Sequence, residues 1–190
     1  MKKIVLATLF ASSVISSAAM ADVYMGVEYG AANNSTSIDW DSGYSYTGDN
    51  NYKDVKFKLG SGTDGGVKSQ FTLSLISYDE AVFDSTNKDL MEFGFDIIKE
   101  FEVTPSFYPF VKAGLGIGTM DVEGYTEDSI MSVSFNVGAG VSYKVIDHLY
   151  LLAGVDYVAR KWQDIEYYDG DTASVTDSAF KPYIGVNYQF

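Results

Sequence analysis

The chain has 190 residues with 13 basic and 26 acidic side chains, a formal charge of −13, and no cysteine. The charge excludes a phosphate-binding surface for nucleic acid. The missing thiols exclude a disulfide framework, and no segment after the first twenty-one residues carries the 18 or more apolar residues of a spanning helix.

Residues 1–21 read as a removable leader. Lys2 and Lys3 form a basic start, Ile4 to Phe10 is a short apolar run, and Ala19-Met20-Ala21 has the small-x-small form of a cleavage site. Cleavage after Ala21 is expected, leaving one domain over 22–190 with 11 bases against 26 acids.

A two-residue rhythm then recurs eight times, the mark of strands with one apolar and one polar face. Asp22 to Ala31 sets Val23, Met25, Val27 and Tyr29 against Tyr24, Gly26, Glu28 and Gly30. Tyr52 to Ser61 opposes Val55, Phe57 and Leu59 to Asp54, Lys56, Lys58 and Gly60; Val67 to Ser77 opposes Phe71, Leu73 and Leu75 to Lys68, Gln70 and Thr72. Asp89 to Phe101 opposes Met91, Phe93 and Phe95 to Glu92, Gly94 and Asp96, and Phe107 to Thr119 opposes Val111, Ala113 and Leu115 to Lys112, Gly114 and Gly116. Ser129 to Tyr143 alternates throughout, and Leu149 to Arg160 places Val155 and Tyr157 opposite Asp156 and Arg160. In the closing segment, Phe180 to Phe190, the residues Pro182, Ile184, Val186 and Tyr188 share a face with the terminal aromatic, and Lys181 and Tyr183 lie on the other.

Connections alternate between short (Gly62 to Gly66, Glu102 to Ser106, Lys144 to His148) and longer polar ones (Ala32 to Asn51, Tyr78 to Lys88, Met120 to Asp128, Lys161 to Ser178). Short-long alternation puts the turns at one end and the loops at the other. The expected fold is all-β: an eight-stranded antiparallel up-and-down transmembrane β-barrel with short periplasmic turns and longer extracellular loops. A soluble ligand-carrying barrel alternates equally well with its apolar face inward. The membrane orientation is favoured by strand lengths near the 9–11 residues that cross a bilayer, by aromatics at strand ends on the apolar face (Tyr29, Tyr143, Tyr157, Tyr188, Phe190), and by mixed charge with many glycines on the other face.

The secretory start, the run Pro-Ser-Phe-Tyr-Pro-Phe-Val-Lys-Ala-Gly-Leu-Gly-Ile-Gly at 105–118 and the ending Ile-Gly-Val-Asn-Tyr-Gln-Phe resemble the small outer-membrane β-barrel family of OmpA-type, OmpX-type and opacity-type barrels. The resemblance spans the mature chain, without the peptidoglycan-binding domain of full-length OmpA-type proteins. It implies residence in the bacterial outer membrane, with outer-membrane lipid and lipopolysaccharide as surroundings. It also implies that Ile184, Val186, Tyr188 and Phe190 form the apolar face read by the barrel-assembly machinery.

The inward face collects Glu28, Asp54, Lys56, Lys58, Lys68, Glu92, Asp96, Lys112, Asp156, Arg160 and Lys181, five acids and six bases. The expectation is a polar network that fills the narrow bore of an eight-stranded barrel; the alternative is a narrow porin-like channel gated by exchanging ion pairs. Trp40, Tyr44, Tyr46, Trp162, Tyr167 and Tyr168 stud the first and last long loops. They read as rim anchors or as a recognition patch for a host or surface ligand, the adhesin alternative. Asp169-Gly170-Asp171 lacks the full spacing of a calcium loop, so neither metal nor cofactor is expected. No enzyme is expected either. Some resembling barrels are lipid A deacylases that need a Ser activated by His, and the single histidine, His148, falls in a periplasmic turn beside Asp147. The expected role is therefore structural or interactive, in membrane integrity or surface binding.

Overall fold

The computed structural model describes residues 23–83, 87–122, 128–166 and 172–190. The leader and Asp22, Tyr167, Tyr168 and the Asp169-Gly170-Asp171 run lie outside them. The described elements are ten strands: β1 (Val23–Trp40), β2 (Ser45–Asp49), β3 (Tyr52–Gly62), β4 (Val67–Tyr78), β5 (Asp89–Glu100), β6 (Phe107–Asp121), β7 (Ser129–Ile146), β8 (Leu149–Trp162), β9 (Ile165–Glu166) and β10 (Thr172–Gln189). All pair antiparallel in the order β2-β1-β3-β4-β5-β6-β7-β8-β10-β9, and β1 also pairs with β10. That last pairing closes the eight long strands into a barrel, which removes the exposed ladder edges that lipid does not tolerate.

Each long strand contains one of the eight periodic segments, with its apolar residues outward. Met25, Phe71, Leu115, Val133, Leu151 and Ile184 are all exposed on the outer wall, while the alternate positions are buried. The turns are tight at the end that holds both termini. Gly65 takes a left-handed φ of 68° in the β3–β4 turn, and His148 takes 74° in the β7–β8 turn. The latter turn is tied to the end of β10, because the Gln189 amide donates to the His148 carbonyl at 2.8 Å.

The strands run further than the hydrophobic rhythm predicts. β1 continues nine residues past Ala31, and β10 begins eight residues before Phe180, with pairing intact from Asn33↔Phe180 to Trp40↔Ala173. Much of the expected first and last loops is therefore sheet. The reason is the change of solvent. Outward positions turn polar at Lys53, Ser77, Asp89, Asp121, Lys161 and Ser178, all exposed, so the lipid-facing alternation stops there although the ladder continues. Above that line the inward positions become apolar: Ala32, Met120, Ile130, Val175 and Ala179 are buried. The barrel thus has a polar interior within the membrane band and an apolar interior above it.

Candidate functional site in the barrel interior and outer rim

The inward row of each strand delivers its charges to the same interior. Glu28 on β1, Asp54, Lys56 and Lys58 on β3, Lys68 on β4, Asp96 on β5, Lys112 on β6, Asp156 and Arg160 on β8, and Lys181 on β10 are all buried. Glu92 on β5 is less enclosed, its side chain 13% exposed.

A continuous chain of ion pairs links opposite walls. Lys58 meets Glu28 at 3.0 Å; Lys112 meets Asp156 at 3.0 Å and Glu28 at 3.8 Å; Lys181 meets Asp54 at 2.7 Å and Asp156 at 3.9 Å. Asp96 accepts hydrogen bonds from Gln70 Nε2 at 2.7 Å and Asn136 Nδ2 at 3.2 Å. Glycines opposite these groups make the room: a Cβ on Gly114 or Gly138 would collide with the carboxylate of Asp96 or Asp156. Charges taken out of water at this depth are tolerable only when paired and hydrogen-bonded.

Three acids join the network that the inward list did not include; one is Asp64 in the β3–β4 turn, 3.1 Å from Lys68. Glu100, buried on β5, holds Lys68 at 2.8 Å. It has the inward parity of Glu92 and Asp96, so the alternation was sufficient to find it. Asp177 falls within the expected loop Lys161 to Ser178, and that expectation is corrected: it is buried on β10. It accepts from Thr36 Oγ1 at 2.7 Å, Tyr78 OH at 2.8 Å and Trp162 Nε1 at 2.9 Å, and faces Arg160 at 3.6 Å. Arg160 also donates to Tyr78 OH at 2.7 Å and to Glu92 at 3.0 Å. This clamp sits where the polar interior meets the apolar one.

The placement of Trp162 in a recognition patch is also corrected. It is 1% exposed, packed edge-on against Phe83 at 5.2 Å and hydrogen-bonded to Asp177. Its indole belongs to a buried apolar cluster with Leu90, Met120, Ile130 and Val175 that closes the outer end of the barrel. Toward the periplasmic end, Tyr24, Phe110 and Tyr183 project inward and are buried; Tyr24 donates to Gln70 at 2.9 Å, and Lys112 lies 4.2 Å from the Tyr183 ring. The cavity among Glu28, Lys58, Lys112 and Tyr183 measures about 10 Å³, room for about one water molecule.

Trp40, Tyr44 and Tyr46 stand at the rim. Tyr44 is 64% and Tyr46 53% exposed, and the Trp40 and Tyr44 rings are 5.2 Å apart. Register puts all three on one face of the β1–β2 hairpin. The Trp40 amide donates to Tyr44 O and the Asn50 amide to Asn34 O, so the even residues of β2 bond to β1. The backbone groups of Ser45, Thr47 and Asp49 therefore point away from it, along an edge that pairs with no other strand among the described residues. Nearby, Lys161 donates to Asp164 at 2.8 Å, a bond that holds the exposed Asp164 carboxyl below its ordinary value. On the lipid-facing wall Ile184, Val186, Tyr188 and Phe190 are exposed in a row, Tyr188 and Phe190 in edge contact at 5.3 Å. His148 lies in its turn with Nδ1 2.9 Å from Gln189 O.

A closed eight-stranded wall, apolar outside and charged inside, defines a transmembrane β-barrel. Residues 4–190 match the family model described as outer membrane protein beta-barrel domain, and the chain belongs to that family. Its place is the bacterial outer membrane. Among solved structures it is similar to Neisserial surface protein A, with 19% identity over 87% of this chain and 97% of that one and a TM-score of 0.51. It is also similar to the outer membrane protein OprG from Pseudomonas aeruginosa, with 13% identity over 90% and 96% and a TM-score of 0.56. No curated protein matches the sequence.

Proposed function

We propose that this protein is a non-conducting, surface-displayed scaffold: a plugged barrel that anchors a small extracellular sheet for partner binding. The observation that carries the reading is the filled interior. An ion-paired layer with a cavity of about 10 Å³ lies below an apolar cluster built around Trp162, and among the described residues the two fill the narrow bore. This argues against the channel alternative. Planar-bilayer recording of the purified barrel should show no discrete openings; steady single-channel steps would overturn the reading.

The surface role is supported by the rim. From Ala31 to Trp40 a tilted strand rises about 20 Å above the lipid. Trp40 at its end, Tyr44 in the connection and Tyr46 on β2 are residue types that anchor interfaces, beside the edge of β2 left open among the described residues. An unpaired edge recruits an extended peptide through its backbone groups. Thr47→Pro removes an edge donor without touching the β1 ladder. Cells displaying that variant should bind host-cell surfaces more weakly at equal barrel abundance, and unchanged adhesion would count against edge pairing.

The remaining assignments fit this role. The leader is removed after Ala21, the Ile184–Phe190 face serves the assembly machinery, and the outer wall meets lipid and lipopolysaccharide. The protein is not an enzyme, since the one imidazole available as a base sits at the periplasmic end, bonded to Gln189 O.

A further inference from the structure

The β1–β2 hairpin has an open side because the chain that would cover it is used elsewhere. β2 and β3 keep one register against β1, from Asp39↔Ser45 through Ser35↔Asp49 to Ala32↔Tyr52. On its other side β3 pairs with β4 as far as Tyr52↔Tyr78, and the last bond of that ladder runs from the Asp79 amide to Asn51 O. The next residues turn away. The Glu80 amide donates to Asn50 Oδ1 at 3.0 Å, and Val82 and Phe83 are buried, Phe83 against Trp162. The segment that caps the barrel thus leaves Ser45, Thr47 and Asp49 with no strand beside them among the described residues. Each carries one N–H and one C=O, so an added strand of about five residues can form up to about six ladder bonds.

Charge selects what that strand carries. Residues 4–52 contain no Lys or Arg. Asp39, opposite Ser45, and Asp49 stand on the same outward face of the hairpin, and Asp41 lies in its connection. Asp79 and Glu80 lie at the lower end of the open edge, and all five acids are exposed. Two lysines are near. Lys53 and Lys88, the latter with its ammonium on the Asp79 carbonyl, stand in the rows of Ser77 and Tyr78, below the open positions. Five carboxylates against two ammoniums leave the edge negative. The other face is aromatic. The Tyr46 ring lies over Gly48, where a Cβ would come 2.5 Å from its hydroxyl, and it is exposed. A partner side chain opposite Gly48 meets that ring, whose π face attracts a cation. Both faces of an added strand therefore favour Lys or Arg. A second copy of this chain is disfavoured, since β2 against β2 sets acids against acids.

We propose that the strand taken up by β2 is an extended peptide rich in Lys or Arg, a partner assignment that rests on the edge-pairing role proposed above. It prolongs the line of β4, antiparallel to β2. Its cations lie opposite Ser45 and Asp49 on the carboxylate face and opposite Gly48 on the aromatic face. Backbone bonds supply the docking and the carboxylates supply the selectivity.

The test uses the whole barrel in nanodiscs of zwitterionic lipid. Three capped peptides are compared: Lys-Val-Lys-Val-Lys-Val-Lys, the same peptide with Glu for Lys, and the Lys peptide N-methylated at alternate residues. Binding is read by fluorescence anisotropy and by amide hydrogen exchange. The Lys peptide should bind, more weakly as salt rises, and should slow exchange at Ser45, Thr47 and Asp49. Asp39→Asn/Asp49→Asn should lower its affinity about three- to tenfold, and Glu102→Gln/Asp147→Asn at the periplasmic turns should leave it unchanged. Thr47→Pro and the N-methylated peptide should each bind about tenfold more weakly, through lost ladder bonds. Equal binding of the Lys and Glu peptides with slowed exchange would overturn the basic partner and keep the edge role. Binding of the Lys peptide without slowed exchange, and indifferent to Thr47→Pro, would overturn both. Absence of binding would overturn the basic partner, and the adhesion of cells displaying Thr47→Pro then decides the edge role separately. Slowed exchange at the same amides without peptide, growing with protein concentration, would assign the edge to a second copy and overturn the proposal.

Discussion

Asp177 on β10 joins four side chains from three other strands: Thr36 on β1, Tyr78 on β4, and Arg160 and Trp162 on β8 all converge on its carboxylate. Replacing one member of a buried charged pair leaves the other unpaired, at a cost of about 3–5 kcal/mol. Asp177→Asn should therefore lower stability by about that amount in urea unfolding from liposomes. Asp41→Asn, on the exposed β1–β2 connection, should stay within about 0.5 kcal/mol. At this scale, alternation in the sequence was enough to place Glu28, Asp54 and Lys112 inside. It did not place Asp177, because its neighbours Thr176, Ser178 and Ser174 carry no apolar signal once the strand has left the lipid. Nor did it separate Trp162 from Trp40: both are tryptophans near a strand end, and only the position of the opposite wall decides which one is enclosed.

The strands show the same boundary as a change in what one face tolerates. On β10 the outward column runs through Ser174, Thr176 and Ser178 to Phe180, Ile184, Val186 and Tyr188. A cation on the lipid face costs about 2–4 kcal/mol at mid-depth and little beyond the interface. Ile184→Arg should thus destabilise the barrel by about that much. Thr176→Arg, on the same face of the same strand, should change it by less than about 0.5 kcal/mol, again read by unfolding from liposomes. The eight membrane-crossing strands, their direction and the position of the short turns were legible because lipid imposes a strict period of two. The extensions of β1 and β10, and the short strands β2 and β9, were hidden because in water a paired strand needs no apolar outer face. Ladder bonds and the buried inward face, with Val175 and Ala179 on β10, carry it there.

For the whole molecule, the two interiors act as seals in series. The upper one is apolar and centred on Trp162; the lower one is the ion-paired layer of Glu28, Lys58, Lys112, Asp156 and Lys181. Trp162→Ala should cost about 3–5 kcal/mol through the cavity it leaves, yet the variant should remain silent in bilayer recordings because the lower layer is intact. Openings in that single variant would show that the apolar cluster is the only barrier.

By itself the sequence determined the eight membrane-crossing strands, the up-and-down order, which face meets lipid and which charges within the membrane band turn inward. Those properties follow from local periodicity under a solvent that admits no unpaired backbone. Only the tertiary structure decided which acids and bases become partners, that Asp177 and Trp162 are enclosed, and that the edge of β2 stands open among the described residues. All of these depend on how far each strand runs and on which residues the closed register sets opposite one another, and no single segment encodes that distance.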